Sequence, residues 1–563
     1  TNVSATDLLT AIPSFDLLLL FNGHFIMSAA QPVIKRLDHL GLIAAFCHEI
    51  GLPGIIDRVI PKYSDHNVSH GDAVLAMILN GLGFHSRTLH MFSDFFETKP
   101  VAKLLAKDIE AHHLTDDVLG RTLDALYEAD VSALYQAIAE HVVDKLGLKT
   151  DSVHLDITSF HVDGEYAQDE DLNAIKLVKG YSRDHRPELN QVVLELICEN
   201  QAGLPVYMQA LSGNTNDAKA FSEVTKRHIH CLKAAQNSRY FIADAALYTE
   251  ESIRSLDEQQ QKFITRVPMT IKSAKEALMN LEPEQLSHIG NGYSGCWVDA
   301  DYGSVSQKWL LIHSEQATKR EQVTFYKNLD KNITKELKAL GQLKKKQFAC
   351  AVDAEQAMSD FANQCHLLGF AQSTIVKEPI YSGRGRPKKD EKPTGYHYLI
   401  DATPYADLEK VKLAKLKVGM FILATNDTDN TDLTMVALLE HYKSQQKVER
   451  GFRFLKSPEF LTSSIFLKKP QRIEALLMIM TLSLLVYASL EHKIRESLTK
   501  TEEFFPSMVK NKTTTKPTAR WVFLKFEGID TLEFGGQSFI TGVQEHQTRL
   551  LKLLGVLYEA VYS

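Results

Sequence analysis

Apolar residues recur at helical spacing through the first quarter of the chain. AVLAMILNGLGF (73–84) and VSALYQAIAEHVVDKLG (131–147) carry them along one face, so residues 1–148 are expected to be all-α. HLTDDVLGRTLDALYEA (113–129) reads as part of a helix-turn-helix, with Thr115 as N-cap. That pair is either a DNA-binding element or a packing and dimerisation element. After Lys149 the period changes. SVHLDITSF (152–160), NQVVLELICE (190–199), LPVYMQAL (204–211) and RYFIAD (239–244) read as strands, and a helix follows near 248–255. Strands in a row and then strand–helix alternation predict a mixed α/β unit over 149–270.

From 271 to 418 that rhythm is lost. WLLIHS (309–314) is strand-like, a long charged helix is expected over 316–364, and SGRGRPKKDEKPTG (382–395) reads as a linker. The α/β pattern resumes with YHYLIDA (396–402) and GMFILATN (419–426), then helices at about 432–457 and 470–497. The simplest organisation is one α/β domain (149–270 and 419–500) interrupted by an inserted domain (271–418). A helix-plus-strand appendage occupies 501–563.

Composition narrows the function classes. The 563 residues carry 63 Lys and Arg against 70 Asp and Glu, a net charge of −7. That counts mildly against a large nucleic-acid footprint, but local patches outweigh the sum. The six cysteines (Cys47, Cys198, Cys231, Cys296, Cys350 and Cys365) form no CxxC pair. This argues for a reducing compartment and against a disulfide framework or zinc site. No basic segment precedes the Leu-rich start, so no signal peptide is expected and the cytoplasm is the expected location. The longest apolar stretch, Ala475 to Leu490, contains Thr481 and Ser483 and is short for a membrane span. A helix buried in protein, with no membrane partner, is the expectation.

Two carboxylates stand out. Asp156 lies inside an apolar strand, where an acid is rarely buried without a partner or metal. Asp244 ends another strand, the position where α/β sheets build active sites. Capping or turn roles are the plain alternative for each. In HYKSQQKVERGFRFLK (441–456), Tyr442, Gln445, Glu449 and Lys456 share one face of a continuous helix at about 100° per residue. Val448, Phe452 and Leu455 form a separate apolar stripe.

LDITSF, IADAALYT and the spacing of Tyr442, Gln445, Glu449 and Lys456 resemble the DDE transposases of bacterial insertion sequences. The group resembled is the insertion-sequence-four superfamily, with its Y-x2-R-x3-E-x6-K signature. GYSRDHRPELNQVV (180–193) and GLPVYMQALSGNTND (203–217) are similar to further blocks of that group. The resemblance implies an RNase H-like catalytic domain with a large insertion between the second aspartate and the glutamate. It implies Asp156, Asp244 and Glu449 as catalytic metal ligands, and Tyr442 and Lys456 as contacts to DNA phosphate. Gln445 departs from the pattern, because a neutral amide cannot replace a bidentate arginine. Arg453, about 40° around the helix from Glu449, is the candidate substitute.

Phosphodiester attack needs an oriented nucleophile and charge stabilisation. Two Mg²⁺ ions roughly 4 Å apart supply both. Three carboxylates suit Mg²⁺, with Mn²⁺ able to substitute. Arg384, Arg386 and Lys388 in the linker resemble an AT-hook for A·T minor grooves, or form a solvated basic linker. Trp297 is either a stacking platform for an extruded base or a core residue. The expected function is a transposase that cuts the terminal inverted repeats of its element and joins them to target DNA, as a homodimer on double-stranded DNA. The alternatives are an RNase H-like nuclease without strand transfer and a domesticated DNA-binding protein.

Overall fold

The computed structural model describes residues 33–62, 66–84, 87–162, 174–181, 186–215, 239–382, 392–429, 431–457, 467–534 and 537–563. Side-chain caps start the N-terminal helices. Ser69 Oγ accepts from Asp72 N–H ahead of the helix His70–Gly81. Thr115 Oγ1 does the same for Val118 ahead of Asp116–Glu128, and Asp130 for Ala133 ahead of Val131–Leu146. The apolar faces of these helices pack inward. Asp116–Glu128 lies on the long helix Pro470–Lys500, fastened by Arg472, whose Nε and Nη2 donate to the two Asp124 oxygens at 2.7 Å. Val131–Leu146 lies on the sheet, with the Tyr135 hydroxyl donating to Pro205 O at 2.6 Å. The helix pair expected as a helix-turn-helix therefore buries its leucines in the protein core.

The region is not wholly α. Val33–Arg36 forms a strand, β1, which pairs antiparallel with Asp530–Phe534 (Ile34 opposite Leu532). The C-terminal segment is accordingly fastened to the N-terminal helices. The Tyr562 hydroxyl donates to Asp38 O at 2.6 Å, and that of Tyr558 donates to Glu49 at 2.7 Å. The appendage expected over 501–563 shares a core with the first domain.

The main sheet is built from β2 (Ser152–Val162), β3 (Asn190–Glu199), β4 (Pro205–Ser212), β5 (Tyr240–Ala243), β6 (Lys262–Arg266), β7 (Ser287–Gly290), β8 (Tyr293–Tyr302) and β9 (Val305–Ser314). A separate ribbon pairs β10 (Leu368–Ile380) with β11 (Gly395–Ala406), and β12 (Met420–Thr425) returns to the sheet. Among the described residues the order is β4-β3-β2-β5-β6-β12-β9-β8-β7. β2, β5 and β6 run parallel to one another, and the other pairings are antiparallel.

This order joins part of the expected insertion (271–418) to the main sheet. β7, β8 and β9 extend the main sheet through β12, so residues 287–314 belong to it. The part that stands apart is smaller. It holds the helices Glu315–Lys344 and Ala351–Gln364 and the β10–β11 ribbon, around Leu340, Phe348, Ala354, Met358, Ile400 and Ala402. The single helix expected over 316–364 is broken because Phe348 leaves it. Its backbone exchanges hydrogen bonds of 2.9 and 3.0 Å with Tyr398 while its ring is buried.

The helix Pro470–Lys500 is long and apolar enough to cross a membrane, but most of its apolar window is buried in protein. Thr481 and Ser483 donate to the Leu477 and Ile479 carbonyls at 2.8 and 2.9 Å, which satisfies the polar groups inside the apolar stretch.

His39 joins the two ends of the chain. Its Nε2–H donates to Leu82 O at 2.9 Å, and its ring stacks on Phe523 at 4.7 Å. Burial holds this imidazole at a pKa of about 4, below its ordinary 6.5. The unfolded chain therefore binds a proton that the folded chain refuses as pH falls from about 6.5 toward 4. Stability is intact above that window and lost through it, by about 3 kcal/mol for this group. Urea midpoints measured between pH 7 and pH 4 should fall for the wild type, and His39→Gln should flatten the slope. Parallel slopes for the two proteins would contradict this account of His39.

Candidate active site

Asp156 is half-buried in the middle of β2, and its Oδ1 accepts the Ile157 N–H at 2.8 Å. β2 pairs in parallel with β5 in the register Ser152–Tyr240, Val153–Phe241 and His154–Ile242. Continued two residues, that register sets Asp156 beside Asp244 at the carboxyl end of β5. Asp244 caps the next turn, its Oδ1 accepting from Ala246 N–H at 2.9 Å, while Thr265 Oγ1 donates to its carbonyl at 2.8 Å. β6 ends level with it. Ala243 lies beside Thr265, so Arg266 follows beside Asp244, exposed, with its guanidinium 5.7 Å from the Phe421 ring.

The helix Met435–Lys443 packs across β5 and β6 and brings Tyr442 to this edge. Burial pushes the Tyr442 phenol up to about 12. Arg266 acts against that rise, while Asp244, Glu449 and Asp156 add to it. One phenol thus feels all three sequence-predicted carboxylates and one arginine. Among the described residues, no three His, Cys, Asp or Glu side chains stand close enough to enclose a metal ion. Asp156 and Asp244 share this edge by strand register, and Glu449 acts on the same phenol from the following helix. Their donors are all carboxylate oxygens, the set that Mg²⁺ prefers.

The continuous helix expected over 432–457 is broken at Ser444 and Gln445. His154, buried on β2, meets Ser444 Oγ at 2.7 Å, and that hydroxyl donates to His441 O at 2.6 Å. The turn tightens to i to i+3 hydrogen bonds (Lys447 N–H to Ser444 O, Val448 N–H to Gln445 O) before Gln446–Leu455 continues. Gln445 turns inward and is 8% exposed. Glu449 and Arg453 are exposed one turn apart, while Val448, Phe452 and Leu455 are buried as their stripe predicts. Lys456 ends the helix with its ammonium 5.6 Å from the Phe160 ring. Trp297, on β8, is half-buried beside the cluster that holds Leu310, Leu423 and Leu438. Arg384, Arg386 and Lys388 lie outside the described residues.

The two glycine-containing blocks meet level with the carboxyl end of β2, where Gln191 pairs with His161. Gln191, 3% exposed, donates through Nε2 to Gly213 O at 2.7 Å and to Tyr181 O at 3.2 Å. A Cβ at Gly180 would stand 2.0 Å from Gly213 O, and one at Gly213 would stand 2.1 Å from Gln191 O. Both positions need glycine for backbone approach.

Residues 149–486, more than half of the chain, match the family described as Transposase DDE domain. The chain belongs to the transposase DDE domain family. The family is one of enzymes that cut and transfer DNA. Residues 32–140 match a domain of unknown function, DUF4277. No curated protein matches the sequence. A solved piggyBac transposase synaptic complex with hairpin DNA is similar over 88% of this chain and 82% of that one, at 10% identity and a TM-score of 0.37. Asp156, Asp244, Tyr442, Glu449 and Lys456 all fall within the transposase domain match. So do Arg266, His154 and Ser444, which the sequence reading passed over. Arg266 had one signal, a cation closing the short apolar run FIT of the strand KFITR.

If the glycine contact shapes this edge of the transposase domain, Gly213→Ala should lower stability by about 1–3 kcal/mol. Gly54→Ala, on a helix with open space around it, should be neutral or stabilising. Chemical denaturation measures both. Equal small effects would mean that the contact yields easily.

Proposed function

We propose that this transposase-family chain cleaves DNA at the ends of its own element and joins those ends to target DNA. Asp156, Asp244 and Glu449 serve as oxygen ligands for divalent metal. The reading is supported by the strand register that sets Asp156 beside Asp244 at the carboxyl edge of parallel strands, and by the Tyr442 phenol, which Asp244, Glu449 and Asp156 all push up. The order β4-β3-β2-β5-β6, antiparallel through β2 and parallel after it, supports an RNase H-like catalytic domain. The spacing of Tyr442, Glu449 and Lys456 supports the insertion-sequence-four group.

Two Mg²⁺ ions, or Mn²⁺ in their place, would neutralise charge on the scissile phosphate. The chain's own side chains supply the rest. Tyr442 keeps its proton well above neutral pH, so its hydroxyl is a donor for a phosphate oxygen. Lys456 and Arg453 extend the cationic rim beside Glu449. Gln445, buried at the helix break, leaves the bidentate phosphate contact to Arg453 or Arg266. Two element ends must be held together for joining, so a homodimer on double-stranded DNA is the working assembly.

The test is cleavage and strand transfer by the full chain in Mg²⁺, on DNA carrying the sequences that flank its reading frame. Asp156→Asn and Glu449→Gln should each lower cleavage by about a hundredfold or more while duplex binding persists. In the same assay Arg453→Ala should lose more than Gln445→Ala. Wild-type cleavage by Asp156→Asn would overturn the reading. Cleavage without joining would reduce it to a nuclease.

A further inference from the structure

The helix Glu315–Lys344 is 30 residues long, about 45 Å. Its charges are sorted by face. At about 100° per residue, Arg320, Lys327, Lys331, Lys335 and Lys338 fall within an arc of about 80°. No acid of the helix falls within that arc. All five are exposed, and the four lysines make no ion pair among the described residues, while Arg320 is 3.7 Å from Glu321 at the margin. The acids of the helix lie on other faces, and two of them bind backbone. Glu321 accepts from Gly419 N–H at 2.9 Å. Glu336 accepts from the N–H groups of His366, Leu367 and Leu368 at 3.0 to 3.3 Å. The inner face also carries Leu340 into the small core of this unit. An ordinary solvated helix intersperses Glu and Lys at i, i+4 spacing, and this outer face does not.

The helix is also rooted at the carboxylate edge. β9 is antiparallel to β12, which is antiparallel to β6, so β9 runs in the same direction as β6. Arg266 and Leu310 both lie opposite Leu423, and Ser314, which caps the helix, is four residues further along at that same edge.

We propose that this stripe is a track for the phosphate backbone of duplex DNA, running away from the candidate active site. The proposal rests on the transposase reading and adds to it a second contact surface and its partner. Arg320 to Lys338 spans about 27 Å, the axial length of about eight base pairs. Five cations, four of them without an ion pair among the described residues and one flanked by Glu321, match a polyanion of that length, in a chain that is otherwise net acidic.

The experiment measures binding of the full chain to a 30-base-pair duplex of mixed sequence, without Mg²⁺, over a range of KCl concentrations. Replacing Arg320, Lys327, Lys331, Lys335 and Lys338 together with Gln should make the slope of log K against log salt less negative by about 4.5, since each phosphate contact contributes about 0.9. Each single Lys→Gln variant should shift it by about 1, which keeps the test open if the fivefold variant folds poorly. Asp156→Asn should leave the slope unchanged. An unchanged slope in the stripe variants, with wild-type cleavage of element ends intact, would overturn the track and leave the transposase reading standing. If the wild type neither binds duplex nor cuts it, the transposase reading falls and the track falls with it.

Discussion

The parallel pairing of β2 with β5 is the constraint on which the site depends. Its register sets Asp156 beside Asp244, two acids that neither strand could bring together alone. Parallel strands need cover on both faces. One face receives Phe241, Ala243 and Phe263 into the large core. The other receives Tyr240, Ile242 and Ile264 under the helix that carries Tyr442. The apolar sandwich fixes the strands, and the acids occupy the edge where it ends. Glu449 lies on a separate helix, held by Val448, Phe452 and Leu455, and Gly451 lets that helix approach Leu484 of the long core helix.

The core helix Pro470–Lys500 ties this arrangement to the rest of the chain. Its N-terminal part is held by Arg472 on Asp124, and its later part by Lys493 on Glu49, which also accepts from Tyr558. Three regions far apart in sequence therefore meet on one helix. This explains why the N-terminal helices and the C-terminal segment share a core: each covers a different side of the same apolar cylinder.

Much of the sheet was legible, because its strands alternate or run apolar over short lengths. LDITSF and RYFIAD each announced a strand with an acid in a telling place. The family resemblance added Glu449, which periodicity alone left as one polar residue among several. Long-range pairing was not legible. YSGCWVDADY carries mixed polarity because the faces of β8 are only half-covered, so it gave no strand signal. The charged run over 316–364 reads as one helix, since nothing local marks Phe348 as bound to Tyr398. The break at Ser444 depends on His154, almost 300 positions away, and so the expected shared face of Tyr442, Gln445 and Glu449 missed the burial of Gln445. The charge sorting of Glu315–Lys344 needed the structure to say which face is outside.

The central claim is that Asp156, Asp244 and Glu449 converge on one divalent ion site. Localised radical cleavage tests it directly, with Fe²⁺ bound to the full chain in place of Mg²⁺ and ascorbate and peroxide added. Hydroxyl radicals formed at the site should cut the backbone near residues 156, 244 and 449 together, and excess Mg²⁺ or Asp156→Asn should suppress all three cuts. Cuts confined to other segments, or three cuts that persist unchanged in Asp156→Asn, would contradict the convergence.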